Sequence, residues 1–252
     1  MKSTKIITLS AIILSSVGGF SSVSFAADGG TYDSNAVVKF VPNTDPTNPV
    51  DPTNPEENID PVDPTNPEGK PNPGTNGPLS IDFASSFNFG ENKITSQDMI
   101  YNAAPQTFKV GEEGPNYVQV SDNRGGAKGW ALQVEQGGQF KSTSGVELTG
   151  AKIQVNNGEM VSASDSIKPA IFKTSFDLTS DGAGAAQNVI TAADGEGAGT
   201  WVYRFGDEAT KGESVTLTVP GKTTKVAEEY ATKLTWTLID VPGNSEGEEE
   251  GA

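Results

Sequence analysis

The chain has 252 residues, of which 34% are hydrophobic, with 29 Gly and 16 Pro; this is room for one large turn-rich domain or two small ones. It contains neither Cys nor His, which excludes disulfides, thiolate and imidazole metal sites, Cys nucleophiles and Ser-His-Asp triads. Thirty-three acidic residues oppose 17 basic ones for a formal charge of −16, and since phosphate binding needs clustered Lys and Arg, nucleic acid is excluded as a partner.

The first element is an export signal. Lys2 and Lys5 precede an apolar run from Ile6 to Val17, and small residues end in Ser24-Phe25-Ala26, which predicts a signal peptide over residues 1–26 with cleavage after Ala26 or Ala27. The run is too short and too interrupted by Ser to span a bilayer, so no transmembrane segment is expected. Loss of residues 1–26 removes Lys2, Lys5 and no acid, leaving 15 basic and 33 acidic residues, a charge of −18. At the other end, residues 243–252 read as an acidic tail with no Leu-Pro-x-Thr-Gly sorting signal, so attachment to a cell is expected to be non-covalent.

Within residues 27–41, Thr31–Val41 reads as one strand. Residues 42–78 then hold 11 of the 16 prolines and three copies of Asp-Pro-Thr-Asn-Pro, at Asp45–Pro49, Asp51–Pro55 and Asp63–Pro67. Prolines this dense defeat both helix and sheet pairing, and the stretch carries seven acids against Lys70 alone; it is predicted to be a disordered, extended spacer.

From residue 79 to 242 the pattern is all-β. Strands are predicted at Leu79–Phe83, Thr107–Val110, Tyr117–Ser121, Trp130–Glu135, Val146–Leu148, Ala151–Val155, Ile171–Leu178, Trp201–Phe205, Ser214–Val219 and Lys233–Asp240. Their Val, Thr, Ile and aromatic residues alternate with Gly, Asn, Asp and Pro turns, as in an antiparallel β-sandwich or barrel of roughly ten strands. Thr223–Thr232 fits a short helix or a structured loop.

Two strands share a local pattern, Trp130-Ala131-Leu132 and Trp236-Thr237-Leu238. Period-two alternation puts Trp130, Leu132 and Val134 on one face and Leu234, Trp236 and Leu238 on one face of the other strand. Two readings stay open: ordinary sandwich filling, or an exposed aromatic ledge for a sugar face or a protein. At least one indole is expected to be core. Arg124, Lys128, Lys222 and Lys225 are the candidates for a local basic face. The Gly-rich runs Asp181–Gly184 and Asp194–Gly199 lack the ending of a phosphate loop and the ligand spacing of an EF-hand, and read as turns. Glu112-Glu113 and Glu228-Glu229 lack the facing geometry that paired carboxylate catalysis needs. No catalytic residue, metal site or cofactor is expected.

The order of motifs resembles the WxL-domain surface proteins of low-GC Gram-positive bacteria. The likeness is carried by Gly77–Phe83 with Phe87–Gly90, Val120–Gly125, Gly129–Val134, Ser214–Pro220 and Leu234–Pro242, and by the Asp-Pro-Thr-Asn-Pro segment after a short strand. The resemblance implies an exported protein of the cell wall and cell surface that binds peptidoglycan non-covalently. It also implies partner surface proteins and links to adhesion and bile tolerance. Trp130, Leu132, Trp236 and Leu238 inherit the motif's importance, as candidate binding residues or as core. An anionic chain is repelled by anionic wall polymers, so the alternative is a subunit held by a partner protein, contributing to adhesion or to binding of host extracellular matrix.

Overall fold

The computed structural model describes residues 31–179 and 187–240. The predicted signal peptide, the acidic tail and the Asp181–Gly184 run lie outside the described residues. The chain divides into two compact units, residues 1–39 and 40–252. In the first, residues 31–39 form no strand and leave Tyr32, Val37 and Val38 exposed. The predicted strand over Thr31–Val41 is therefore not formed, because β-propensity is realised only through cross-strand neighbours, and none pairs with it among the described residues.

The second unit is built from antiparallel strands, as the sequence predicts. In chain order they are β1 (Leu79–Ala84), β2 (Met99–Asn102), β3 (Asn116–Asp122), β4 (Trp130–Gln136), β5 (Lys141–Ser142), β6 (Lys152–Val155) and β7 (Gly158–Val161). There follow β8 (Ile171–Phe172), β9 (Phe176–Thr179), β10 (Gln187–Ala192), β11 (Gly199–Phe205), β12 (Val215–Val219), β13 (Tyr230–Ala231) and β14 (Leu234–Asp240). Three four-stranded sheets run in the orders β1-β3-β11-β7, β14-β4-β10-β8 and β2-β12-β6-β9, and β13 pairs with β5. β1 approaches β14 and β7 approaches β8, so the first two sheets face one another strand for strand as a sandwich. Between them and the third sheet lies one core, including Val118, Val120, Trp130, Leu132, Ile153, Trp201, Phe205 and Leu217.

Several elements differ from expectation. Thr107–Val110 and Val146–Leu148 supply only single bridges, Pro61 to Phe108 and Lys141 to Glu147. Ile171–Leu178 is broken into β8 and β9. β2, β5, β7, β10 and β13 go unpredicted, being short or polar. Thr223–Thr232 is a structured loop that ends in β13, not a helix.

The largest correction concerns residues 42–78, which are not a disordered spacer but a strap laid across the outer face of the β1-β3-β11-β7 sheet. Proline removes backbone donors but leaves every carbonyl able to accept, and the sheet side supplies the donors. Gln119 Nε2 donates to the Asn48 carbonyl (3.0 Å) while Gln119 Oε1 accepts from Val50 N (2.7 Å). Arg204 Nη1 reaches the Pro52 carbonyl (3.1 Å) and Gln106 Nε2 the Val62 carbonyl (2.7 Å). Lys109 N donates to Asp60 O and Val62 N to Thr107 O, both at 2.9 Å. Val50, Phe83, Tyr117 and Val202 form a second apolar cluster beneath the strap, with Phe108 and Val161 packed on it. This is why all seven residues of β3 are buried.

The second and third copies of the pentapeptide fold alike. Asp51 Oδ1 accepts from Thr53 N (2.7 Å) and Thr53 Oγ1 (2.6 Å), and Asp63 Oδ1 from Thr65 N (2.8 Å) and Thr65 Oγ1 (2.7 Å). Each loop is closed six residues on, by Asp51 N to Glu57 O and Asp63 N to Gly69 O. Proline after Asp fixes φ and the carboxylate caps the turn. The strap ends by crossing β1 at Gly74, where a Cβ would sit 2.8 Å from the Asp82 carbonyl oxygen.

Candidate functional site

The two Trp-x-Leu segments lie on neighbouring strands. β14 pairs antiparallel with β4, in a register that sets Trp236 opposite Val134, Leu238 opposite Leu132 and Asp240 opposite Trp130. Both indoles face the core. Trp130 and Leu132 are 0% exposed, and Trp130 Nε1 donates to the Gly197 carbonyl at 3.0 Å. Gly197 has φ +73°, and a Cβ there would stand 2.6 Å from that indole nitrogen, so the seat fits only glycine. Trp236 and Leu238 are half-buried against the same core, with the Trp236 ring stacked on Phe205 at 6.4 Å between centroids. An exposed ledge is ruled out for Trp130 and Leu132, while Trp236 and Leu238 keep only partial exposure at the sheet edge.

The Gly-rich run Asp194–Gly199 acquires a role as the seat of two indoles. Trp201 Nε1 donates to the Ala198 carbonyl at 3.0 Å, one residue beyond the acceptor of Trp130. Glu196 Oε2 holds the run by accepting from Ala170 N (3.0 Å) and Ala193 N (3.1 Å). Sequence reasoning found the turn but had no signal that distant tryptophans would need its carbonyls.

With Trp and Leu turned inward, the residues between them turn outward. On the open face of the β14-β4-β10-β8 sheet, Thr237, Gln133 and Asn188 stand in register across three strands. Gln133 Nε2 donates to Asn188 Oδ1 at 2.6 Å, and Thr237 and Asn188 are exposed. At the usual strand spacing this uncharged row spans roughly 10 Å. Beside it runs a parallel row of Ile239, Ala131, Thr191 and Ile171, in which the two isoleucines are exposed, Ile171 at 67%, and Ala131 is buried. Thr235 and Glu135 form the row on the other side.

The predicted basic face does not assemble. Arg124 is almost buried: its guanidinium pairs with Asp122 (2.7 Å) and Asp240 and donates to the Gly129 carbonyl (2.7 Å). It fastens the end of β14 to the β3–β4 connection, and Asp122 holds its pKa above even the ordinary guanidinium value. Lys225 Nζ donates to the carbonyls of Thr95 (3.2 Å), Pro220 (3.1 Å) and Thr223 (3.1 Å). Lys128 and Lys222 are left exposed. Glu228 accepts from Ser144 N (2.9 Å) and Thr143 Oγ1 (3.0 Å), and these donors, the Ser144 amide first, lower its pKa to about 2. Such a group stays ionised near neutrality and is a loop fastener, not a proton donor.

Residues 27–242 match a family described as WxL domain, surface cell wall-binding. No curated protein and no solved structure matches the chain. With its paired Trp-x-Leu strands inside a match that covers all but the two ends of the chain, the protein belongs to the WxL family of surface, cell wall-binding domains.

Proposed function

We propose that the protein is exported and attaches non-covalently to peptidoglycan through the open face of the β14-β4-β10-β8 sheet. The observation that carries the reading is the uncharged row Thr237, Gln133 and Asn188 on a chain of formal charge −16. Hydroxyl and amide groups both donate and accept, as glycan hydroxyls require. In the adjoining row the exposed side chains of Ile239 and Ile171 offer apolar contacts to a sugar's C–H face. Neither row depends on attraction between charges, so repulsion from anionic wall polymers weighs least there. The Trp-x-Leu side chains act from behind, holding the two strands flat and in register, and the reading invokes no catalytic step.

Sedimentation with purified sacculi, with and without teichoic acid removed, tests this. The chain from residue 27 onward is expected to sediment alone, and better after stripping. The variant Gln133→Ala/Asn188→Ala/Thr237→Ala is expected to bind about tenfold more weakly, a loss of about 1.4 kcal/mol, with an unchanged thermal midpoint. Undiminished sedimentation of that folded variant overturns the assignment of the face. Failure of the intact chain to sediment without a second surface protein moves the function to a subunit held by a partner.

A further inference from the structure

The first copy of the pentapeptide, Asp45–Pro49, does not curl like the other two. Asp45 N instead takes Asn43 Oδ1 as acceptor (3.0 Å), and the chain runs open along one side of a pocket of about 320 Å³ between the strap and β1. That volume is at the lower end of the range for small-ligand sites. The rings of Pro46, Pro49, Pro61, Pro71 and Pro73 form its walls, and Phe83 lies at its base. Lys70 and Lys109 line it, two of the 17 basic residues in an acidic chain. Asp60 stands 3.6 Å from Lys109 in a loose exposed pair, which is of little energetic weight and easily exchanged. Asp82, also at the wall, is itself buried and already accepts three hydrogen bonds, from Ser80 Oγ at Oδ1 (2.7 Å) and from Gln119 Nε2 (2.9 Å) and Ser121 Oγ (2.6 Å) at Oδ2, so most of its acceptor sites are taken.

We infer that this pocket between strap and sheet binds the free carboxylate end of a short peptide with small apolar side chains. Proline rings present rigid C–H surfaces against which methyl groups pack at little entropic cost, since the rings are already ordered. The two ammonium groups suit one carboxylate, and Asn48 and Asn72, which also line the pocket, suit a peptide backbone. Phe83 is covered and offers no open ring for stacking a sugar. On the proposed wall attachment the carrier of such ends is the peptide part of peptidoglycan, and the inference rests on that reading for its source. The pocket lies on the strapped sheet and the polar row on the other, so the two assignments fail separately.

The test is a titration of the isotope-labelled chain with acetyl-Lys-D-Ala-D-Ala, followed by amide NMR. Saturable shifts are expected at Gly74, Thr75 and Phe83. The C-terminal amide of the same peptide and the variant Lys70→Gln/Lys109→Gln are each expected to bind at least about tenfold more weakly; both lysines are exposed, so the variant keeps its fold. Absence of shifts, or equal response to acid and amide, overturns the inference. Equal or tighter binding of the all-L peptide overturns its wall source and points to protein C-termini. Sacculus sedimentation by a chain that ignores the peptide removes the pocket and leaves the wall reading standing; peptide binding by a chain that ignores sacculi does the reverse.

Discussion

The two facing sheets share one core and treat their outer faces in opposite ways. Gln119 on β3 and Gln133 on β4 are the same residue type, each alternating outward from a strand whose other face is apolar. Gln119 is fully buried and spends its amide on Asn48, Val50 and Asp82. Gln133 meets Asn188 at a surface. The difference is made by a segment remote in sequence, which closes one outer face and leaves the other open. Alternation along a strand therefore identifies which residues turn away from the core, and a second layer decides whether they meet solvent.

The sharpest way to break this comparison starts beneath the open face. Trp130→Ala is expected to cost about 3–5 kcal/mol, read from the urea midpoint, with Trp236→Ala costing clearly less because its indole is only half-buried. A folded, stable Trp130→Ala chain that no longer sediments with sacculi would return the indole to the contact surface. Next comes the glutamine pair. Gln119→Ala orphans a buried amide, a carbonyl and part of the Asp82 shell, and about 2–3 kcal/mol is expected to be lost. Gln133→Ala is expected to stay within about 0.5 kcal/mol. Equal effects at the two positions would mean that the strap does not cover β3 in solution.

The smallest effects are those of pH, and the two acids involved act in opposite directions. Glu228 is lowered to about 2 by the donors of the Ser142–Ser144 turn, so its contribution is complete above about 4.5 and fades as pH falls toward 2. Asp82 is raised by burial beneath the strap, against the pull of Ser121, Ser80 and Gln119. Its contribution is greatest below 3.8 and is lost as pH rises through the folded value. Glu228→Gln is expected to flatten the acid limb of a thermal midpoint against pH profile, and Asp82→Asn to remove an opposing slope above 3.8. An acid limb unchanged by Glu228→Gln would show that the loop is not fastened through that carboxylate.

Much of the fold was legible because long alternating strands such as Tyr117–Ser121, Trp130–Glu135 and Trp201–Phe205 are dominated by local pattern. β7 (Gly158–Val161) and β10 (Gln187–Ala192) were not, since each becomes a strand only through neighbours that precede or follow it at long range. The strap was misread for a definite physical reason. Proline density says that a segment cannot donate to a ladder, and nothing about whether side chains elsewhere will donate to it. Gln106, Gln119 and Arg204 do so, and each looks like an ordinary polar residue in the sequence. Spacing placed Trp130 and Trp236 on a common kind of face without deciding which way it pointed. The row Thr237, Gln133 and Asn188 needed the register of three strands before it existed at all.

The strap also has a mechanical consequence. Its fastenings follow one another along the chain: Asn43 to Asn123, Asn48 and Val50 to Gln119, Pro52 to Arg204, Asp60 and Val62 to Lys109 and Thr107, and Thr75 to Ile81. A pull applied at residue 40 is expected to load them one at a time, from the outside in. Released completely, residues 42–75 can extend to a total of roughly 110 Å, and the excess over their folded span is slack. The segment thus behaves as a folded length of cable, short at rest and lengthened stepwise under load.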